Sequence, residues 1–312
     1  MELSDSTSLS YWLTWKFLFC LLSVLASVIT ASFLIWKYEG SDNTERAYNG
    51  EEWMPCWKGL NPVWLMAFRI IAFCLILAAF IADVATHGTN LFYYYTQWTL
   101  MLTTIYFLFG SLLSACGCFW KDKIFNARSI DIEAEQGIHV SLIHAGKEKA
   151  ASQQGECYFL QKARFWGHIF QIIYQMTAGA VMLTDGVYWI AIFPFLTLVD
   201  YEMGFLTVVV HSLNLVMLLG DTAMNRLRFP WFRISYFILF TALYVIFEWI
   251  VHACVVTWWP YPFLNVSQPN APIWYWVVAA LHLPCYAVFL LLVKLKYFIL
   301  SRWFPESSEC LR

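Results

Sequence analysis

Residues 202–221, EMGFLTVVVHSLNLVMLLGD, are apolar through their middle except for His211, Ser212 and Asn214. About 20 mostly apolar residues let a helix cross the hydrocarbon of a bilayer. An imidazole and an amide at that depth are costly unless each finds a partner. One chemistry open to them is nucleophilic. Thr96 follows Tyr93, Tyr94 and Tyr95 in the stretch FYYYTQWTLMLTT, and its hydroxyl could be activated by His211 as general base. Asn214 or Asp83 would then orient the ring or steady an oxyanion. The structural alternative has Thr96 bonding its own helix backbone and His211 tying helices together, for about 1 kcal/mol or less. A second chemistry is metal binding. Asp83 and His87 are four residues apart, as are Glu248 and His252, so each pair shares a helix face. With His211 and His282 they would supply enough nitrogen and oxygen ligands for zinc. No tight motif holds these six together, and the leading expectation has no metal and no cofactor.

The composition says what kind of element must position these groups. Of 312 residues, 60% are hydrophobic and 13% charged, and Trp 17, Tyr 17 and Phe 26 make the chain unusually aromatic. Mean hydropathy is +0.58. A polytopic membrane protein follows. Net charge is −2, without a basic block arranged for nucleic acid, which excludes that partner. Of the nine cysteines, Cys20, Cys74, Cys116, Cys254 and Cys285 lie in apolar runs and read as small packing residues. The N-terminus MELSDSTSLSYW lacks a basic n-region, so the first apolar run is read as a retained helix.

Hydropathy predicts an all-α bundle of seven crossings at 12–36, 62–85, 92–116, 163–184, 202–221, 234–257 and 273–297, forming a single transmembrane domain over 1–312. The 202–221 helix is expected at the centre. Residues 187–199 are too short to cross and contain Pro194, which suggests a re-entrant or interfacial segment, or an extension of a neighbouring helix. Residues 119–161 form a polar cytoplasmic loop with at most a short surface helix. Arg69 is expected to snorkel toward cytoplasmic headgroups. Lys37, Arg46, Lys58, the basic residues of 121–164, Arg226, Arg228, Arg233, Lys294, Lys296 and Arg302 fall on one side. The positive-inside rule makes that side cytoplasmic, with the N-terminus outside and the C-terminus inside. The sequon Asn265-Val266-Ser267 lands on the outer side as a glycosylation candidate. Counted inward from the outer ends, Asp83, His87, Thr96, Asp185, Glu202, Glu248 and His252 lie near the outer surface, and His211 and His282 lie deeper.

At YYTQWTLMLTTIYF (94–107) and VVHSLNLVMLLGD (209–221) the chain resembles the family that joins rolling-stone proteins with the androgen-induced membrane threonine hydrolases, its plant branch above all. In the hydrolase branch an intramembrane threonine and histidine cleave fatty acid esters of hydroxy fatty acids. That threonine resembles Thr96 and that histidine resembles His211. The pattern at His211 is His-Ser-Leu-Asn, without the paired histidines of the hydrolases, and the extra helix and the 119–161 loop also depart from those smaller enzymes. Rolling-stone relatives are associated with myoblast fusion.

The resulting expectation is an intramembrane threonine-type lipid ester hydrolase or acyl-transfer enzyme in the endoplasmic reticulum or plasma membrane. Its partner is a membrane lipid or fatty-acyl ester, and a homodimer is compatible with it. Thr96 and His211 are catalytic, and Asn214, Asp83, Glu248, His252, His282 and Tyr95 support them or line the substrate path. The alternative from another class is a non-enzymatic lipid-binding receptor, scaffold or fusion-related protein. A zinc-dependent hydrolase or a transporter stands behind these.

Overall fold

The computed structural model describes residues 8–39, 52–119, 147–196, 204–255 and 258–305. Among these it is helical, without strands. A short turn α1 (Leu9–Trp12) leads into α2 (Trp15–Tyr38). Then come α3 (Pro62–His87), α4 (Tyr95–Phe119) and α5 (Lys147–Val187). A π-turn (Tyr188–Ile192) and α6 (Phe193–Leu196) continue from α5. The chain is completed by α7 (Phe205–Val210), α8 (Leu213–Met224), α9 (Ile234–Cys254) and α10 (Ala271–Trp303). Helix starts follow local chemistry. The Thr14 hydroxyl accepts from Phe17 N–H at 3.2 Å and the Asn61 carboxamide from Val63 N–H at 3.1 Å, with Pro62 in the first turn of α3.

Six helical stretches are long and apolar enough to cross a membrane: α2, α3, α4, α7 with α8, α9 and α10. The expected crossing at 163–184 lies within the 41-residue α5. Residues 147–161, read from sequence as loop, are the first turns of that helix; residues 120–146, 197–203 (with Glu202) and 40–51 lie outside the described residues. α5 is the central element, packed against α4, α9 and α10, while α3 lies along α4 and α2 along α9 and α10. Its position explains its modest hydropathy. Gln171, Gln175, Thr177, Thr184 and Asp185 are all buried among protein neighbours instead of facing lipid. The stretch expected at the centre is peripheral and broken. Only 28% of the spanning window of α7–α8 is buried, against 50% for α4 and for α9, and the helix is interrupted at His211 and Ser212.

The basic end of the bundle is held by a buried ionic staple. Arg69 does not snorkel. It is fully buried, and its Nε donates to Asp221 Oδ1 at 2.7 Å. Its Nη1 donates to Glu52 O at 2.6 Å and to Ser114 Oγ at 2.8 Å, and Phe170 presents its ring face to the guanidinium at 5.1 Å. Tyr106 and Asn225 both donate to Asp221 Oδ2, and Lys296 donates to the Thr222 and Asn225 carbonyls at 2.8 and 2.7 Å. A second cluster joins Arg233 to Glu39 at 2.7 Å, with His168 Nε2 3.2 Å from the same carboxylate and Gln175 accepting from Arg233. The segment after Glu52 is tucked into this end. Trp53 packs on Gly117 and Glu52 on Gly167, where an added Cβ would come within 2.2 Å of either side chain. Cys56 N–H donates to Met224 O at 2.7 Å, and Cys56 is disulfide-bonded.

Candidate functional site

At the opposite end the polar groups are arranged differently. α3 and α4 meet through Asp83, which is buried. Its Oδ1 is 2.8 Å from His87 Nδ1 and its Oδ2 accepts from Gln97 Nε2. One turn beyond Thr96, Thr99 hydrogen-bonds Thr184 of α5 at 2.9 Å. The next residue, Asp185, is 2% exposed and lies toward the Leu215 N–H in the first turn of α8, although neither carboxylate oxygen makes a well-formed hydrogen bond. One turn further on, Tyr188 stacks flat on the His211 ring at 3.6 Å, and Trp189 Nε1 donates to His211 O at 2.8 Å.

The break at His211–Ser212 has a backbone logic. A helix that restarts inside the bilayer presents its first N–H groups without helical acceptors. In α8 one of these, the Leu215 N–H, is turned toward the Asp185 side chain. Asn214 satisfies one carbonyl of the ending helix by donating Nδ2 to Val210 O at 3.1 Å. What is left over is notable. His211 Nδ1, Asn214 Oδ1, Gln97 Oε1 and both Asp185 oxygens are buried with no hydrogen-bond partner. Buried polar groups that serve only to tie helices together are normally satisfied. The Arg69–Asp221 staple nearly meets that standard, with only Arg69 Nη2 unpaired.

The sequence-selected residues are distributed over three places. His211 and Asn214 lie at the helix break, and Asp83 joins α3 to α4 through Gln97. Thr96 stands at the first turn of α4, and its hydroxyl and N–H approach the Tyr261 phenol together with the Tyr95 N–H. Tyr261 lies in the loop between α9 and α10, and burial pushes its phenol up to about 12 while those hydrogen bonds work in the other direction. Among the described residues no hydrogen bond joins Thr96 to His211, so the structure does not assemble the expected nucleophile–base pair. Tyr95 points elsewhere: its hydroxyl meets Thr241 at 2.8 Å and its ring packs on Tyr244 at 5.0 Å.

Glu248 and His252 share a buried face of α9, as their spacing predicted. His252 stacks on Trp259 at 4.0 Å and near Tyr11 of α1, and Glu248 Oε1 has no partner. His282 is on α10 against Phe237 at 4.4 Å. The zinc set is thus not gathered: the described residues contain no group of three His, Cys, Asp or Glu side chains that could hold a metal. Asn265 is half-buried, with its side-chain oxygen accepting from the Ser267 N–H at 3.0 Å and hydroxyl at 2.7 Å. Asp185, Gln97 and Thr99 were not singled out as site residues from sequence. The signal available was the run Thr184-Asp185-Gly186 ending an apolar helix, which reads equally well as a surface turn. No known family, characterised protein or solved structure matches this chain.

Proposed function

We propose that this chain is a seven-crossing membrane protein that cleaves or transfers an acyl ester drawn from the bilayer, with His211 as the proton-transferring group. The observation that carries this reading is the interrupted helix. It carries an imidazole with an unpaired ring nitrogen, His211, at a break in an apolar helix and against the end of α5 that bears Tyr188 and the buried Asp185. In this account Thr96 Oγ attacks the ester carbonyl, His211 takes the hydroxyl proton and hands it to the departing alcohol oxygen, and a water activated by the same ring releases the acyl group. Catalysis then requires Tyr261 to give up Thr96, and the α4 backbone N–H groups that faced the phenol become donors for the oxyanion. The resemblance to membrane threonine hydrolases supports the same two residues. Reconstituted protein should hydrolyse a fluorogenic long-chain acyl ester in vesicles, with turnover lost in Thr96→Ala and in His211→Ala; unchanged turnover in both variants refutes the assignment.

A second reading is a non-enzymatic lipid-binding or fusion-related protein. It is favoured by one observation, that Thr96 is engaged by Tyr261 and His211 by Tyr188.

The proposed sidedness keeps the basic end in the cytoplasm, with the protein in the endoplasmic reticulum or plasma membrane. The disulfide at Cys56 lies at that basic end and argues against a reducing compartment there. Glycan mapping at Asn265 therefore decides between the two orientations.

A further inference from the structure

Away from the interrupted helix, α2, α9 and α10 enclose a slot of about 60 Å³, with Trp274 at its lip, Val245 and Ala279 among its walls, and Ser23, Thr241 and His282 among its lining groups. His282 sits about 16 Å along the roughly 50 Å of α10, within an apolar helix long enough to cross a hydrocarbon layer of roughly 30 Å. Its ring nitrogens are not equivalent. Nδ1 lies 2.9 Å from Val278 O, and a carbonyl only accepts, so Nδ1 carries the proton. Nε2 is then a lone-pair acceptor. It is buried, in a residue only 4% exposed, and has no donor. Hydroxyls lining the slot are committed elsewhere: Thr241 is bonded to Tyr95 at 2.8 Å and to Phe237 O at 3.3 Å, Ser27 donates to Ser23 O at 2.9 Å and Tyr275 to Leu264 O at 3.0 Å.

We propose that this slot takes the hydroxyl end of a single-chain lipid alcohol, which donates its O–H to His282 Nε2. The class of ligand follows from three features. An unpaired acceptor selects a donor, which excludes a plain hydrocarbon, an ether or an ester. Apolar walls and a position at bilayer depth exclude a charged group. A volume that admits roughly four water-sized groups accommodates a hydroxyl and the first few methylenes of one chain, with the remainder lying in lipid beside the exposed Trp274. A hydroxyl in hydrocarbon has no water to bond, so an acceptor at this depth confers selectivity for alcohols. The site is separate from His211 and does not depend on ester hydrolysis.

The full chain in nanodiscs would be irradiated with a hexadecanol bearing a diazirine near its hydroxyl and, in parallel, with the methyl ether of the same compound. Labelled peptides would be mapped by mass spectrometry. The alcohol should label α9 and α10 around Val245 and Ala279 roughly five to ten times more strongly than the ether, the factor that one net hydrogen bond supplies. His282→Phe should bring the alcohol down to the level of the ether, and Ala279→Phe should remove labelling by both. Equal labelling by alcohol and ether in the unaltered chain overturns the proposal, as does labelling indifferent to Ala279→Phe. If His282→Phe fails to fold, the alcohol–ether comparison in the unaltered chain decides alone. Retained ester turnover with failed labelling would remove this site and leave the hydrolase reading intact, and the converse result would do the opposite.

Discussion

Removing one half of the Arg69–Asp221 pair should damage the fold far more than the single hydrogen bond between them suggests. Asp221 receives three donors on two oxygens: Arg69 Nε on one, Tyr106 and Asn225 on the other. Asp221→Leu leaves a fully buried guanidinium without its counter-charge and strands the other two donors. Loss of one partner of a buried pair costs about 3–5 kcal/mol. Arg69→Met leaves a buried carboxylate that keeps Tyr106 and Asn225, so it belongs at the lower end of the same range. The informative variant is the double one, Arg69→Met with Asp221→Leu. It removes both charges together, so it should cost about as much as one single substitution and not the sum, a coupling of about 3 kcal/mol. At roughly 2–3 °C per kcal/mol for a chain of this size, each single variant should melt about 10 °C lower and the double variant no lower than the worse single. Tryptophan fluorescence during thermal unfolding in one detergent reads all four proteins. Additive losses, or single losses below about 1 kcal/mol, would show that the pair is solvated like a surface salt bridge and does not staple the basic end.

Three further outcomes are expected. Gly117→Ala should destabilise by about 1–3 kcal/mol, because its Cβ would meet the rigid Trp53 ring at 2.2 Å, while Gly167→Ala should cost less, because the Glu52 carboxylate it meets can swing aside; melting temperatures rank the two, and the reverse order contradicts the packing described. The Tyr261 phenol is raised to about 12 in the fold, so the stability it contributes is complete below its unfolded value near 10 and is lost as pH climbs from 10 through 12; Tyr261→Phe should flatten that part of the stability profile, and a wild-type slope that persists in the variant refutes the burial argument. Expressed in a glycosylating cell, the protein should carry a glycan removed by endoglycosidase and absent from Asn265→Gln; an unmodified Asn265 would favour the inverted orientation to which the Cys56 disulfide points.

Much of the helical order was legible because hydropathy is a property of contiguous residues. The starts of α3 and α9 fall at the expected residues because Asn61-Pro62 and the end of the NRLRFPWFR loop are local signals. What escaped were facts decided by distant partners. Arg69 read as snorkelling because Asp221, 152 positions away, is invisible in its own helix. The helix break at His211–Ser212 escaped because apolar residues flank it on both sides through 205–220, and only His211, Ser212 and Asn214 interrupt them. α5 looked shorter than it is because its first turns are polar, and less central because its buried Gln171 and Gln175 lower its apparent affinity for lipid. The spacing of Asp83 with His87 did report a real contact, since the i,i+4 geometry is set by the helix alone. The pairing of Thr96 with His211 depended on tertiary placement, and there Tyr261, from a loop of aromatic residues resembling an interfacial belt, is the partner instead.

The most direct measurement of the central claim is site mapping of a trapped acyl or phosphonyl adduct. A fluorophosphonate should attach to Thr96, with the adduct lost in Thr96→Ala and strongly reduced in His211→Ala while both variants melt normally. An adduct carried by another residue, or none in a protein that turns over ester, would contradict the assignment of Thr96 and His211.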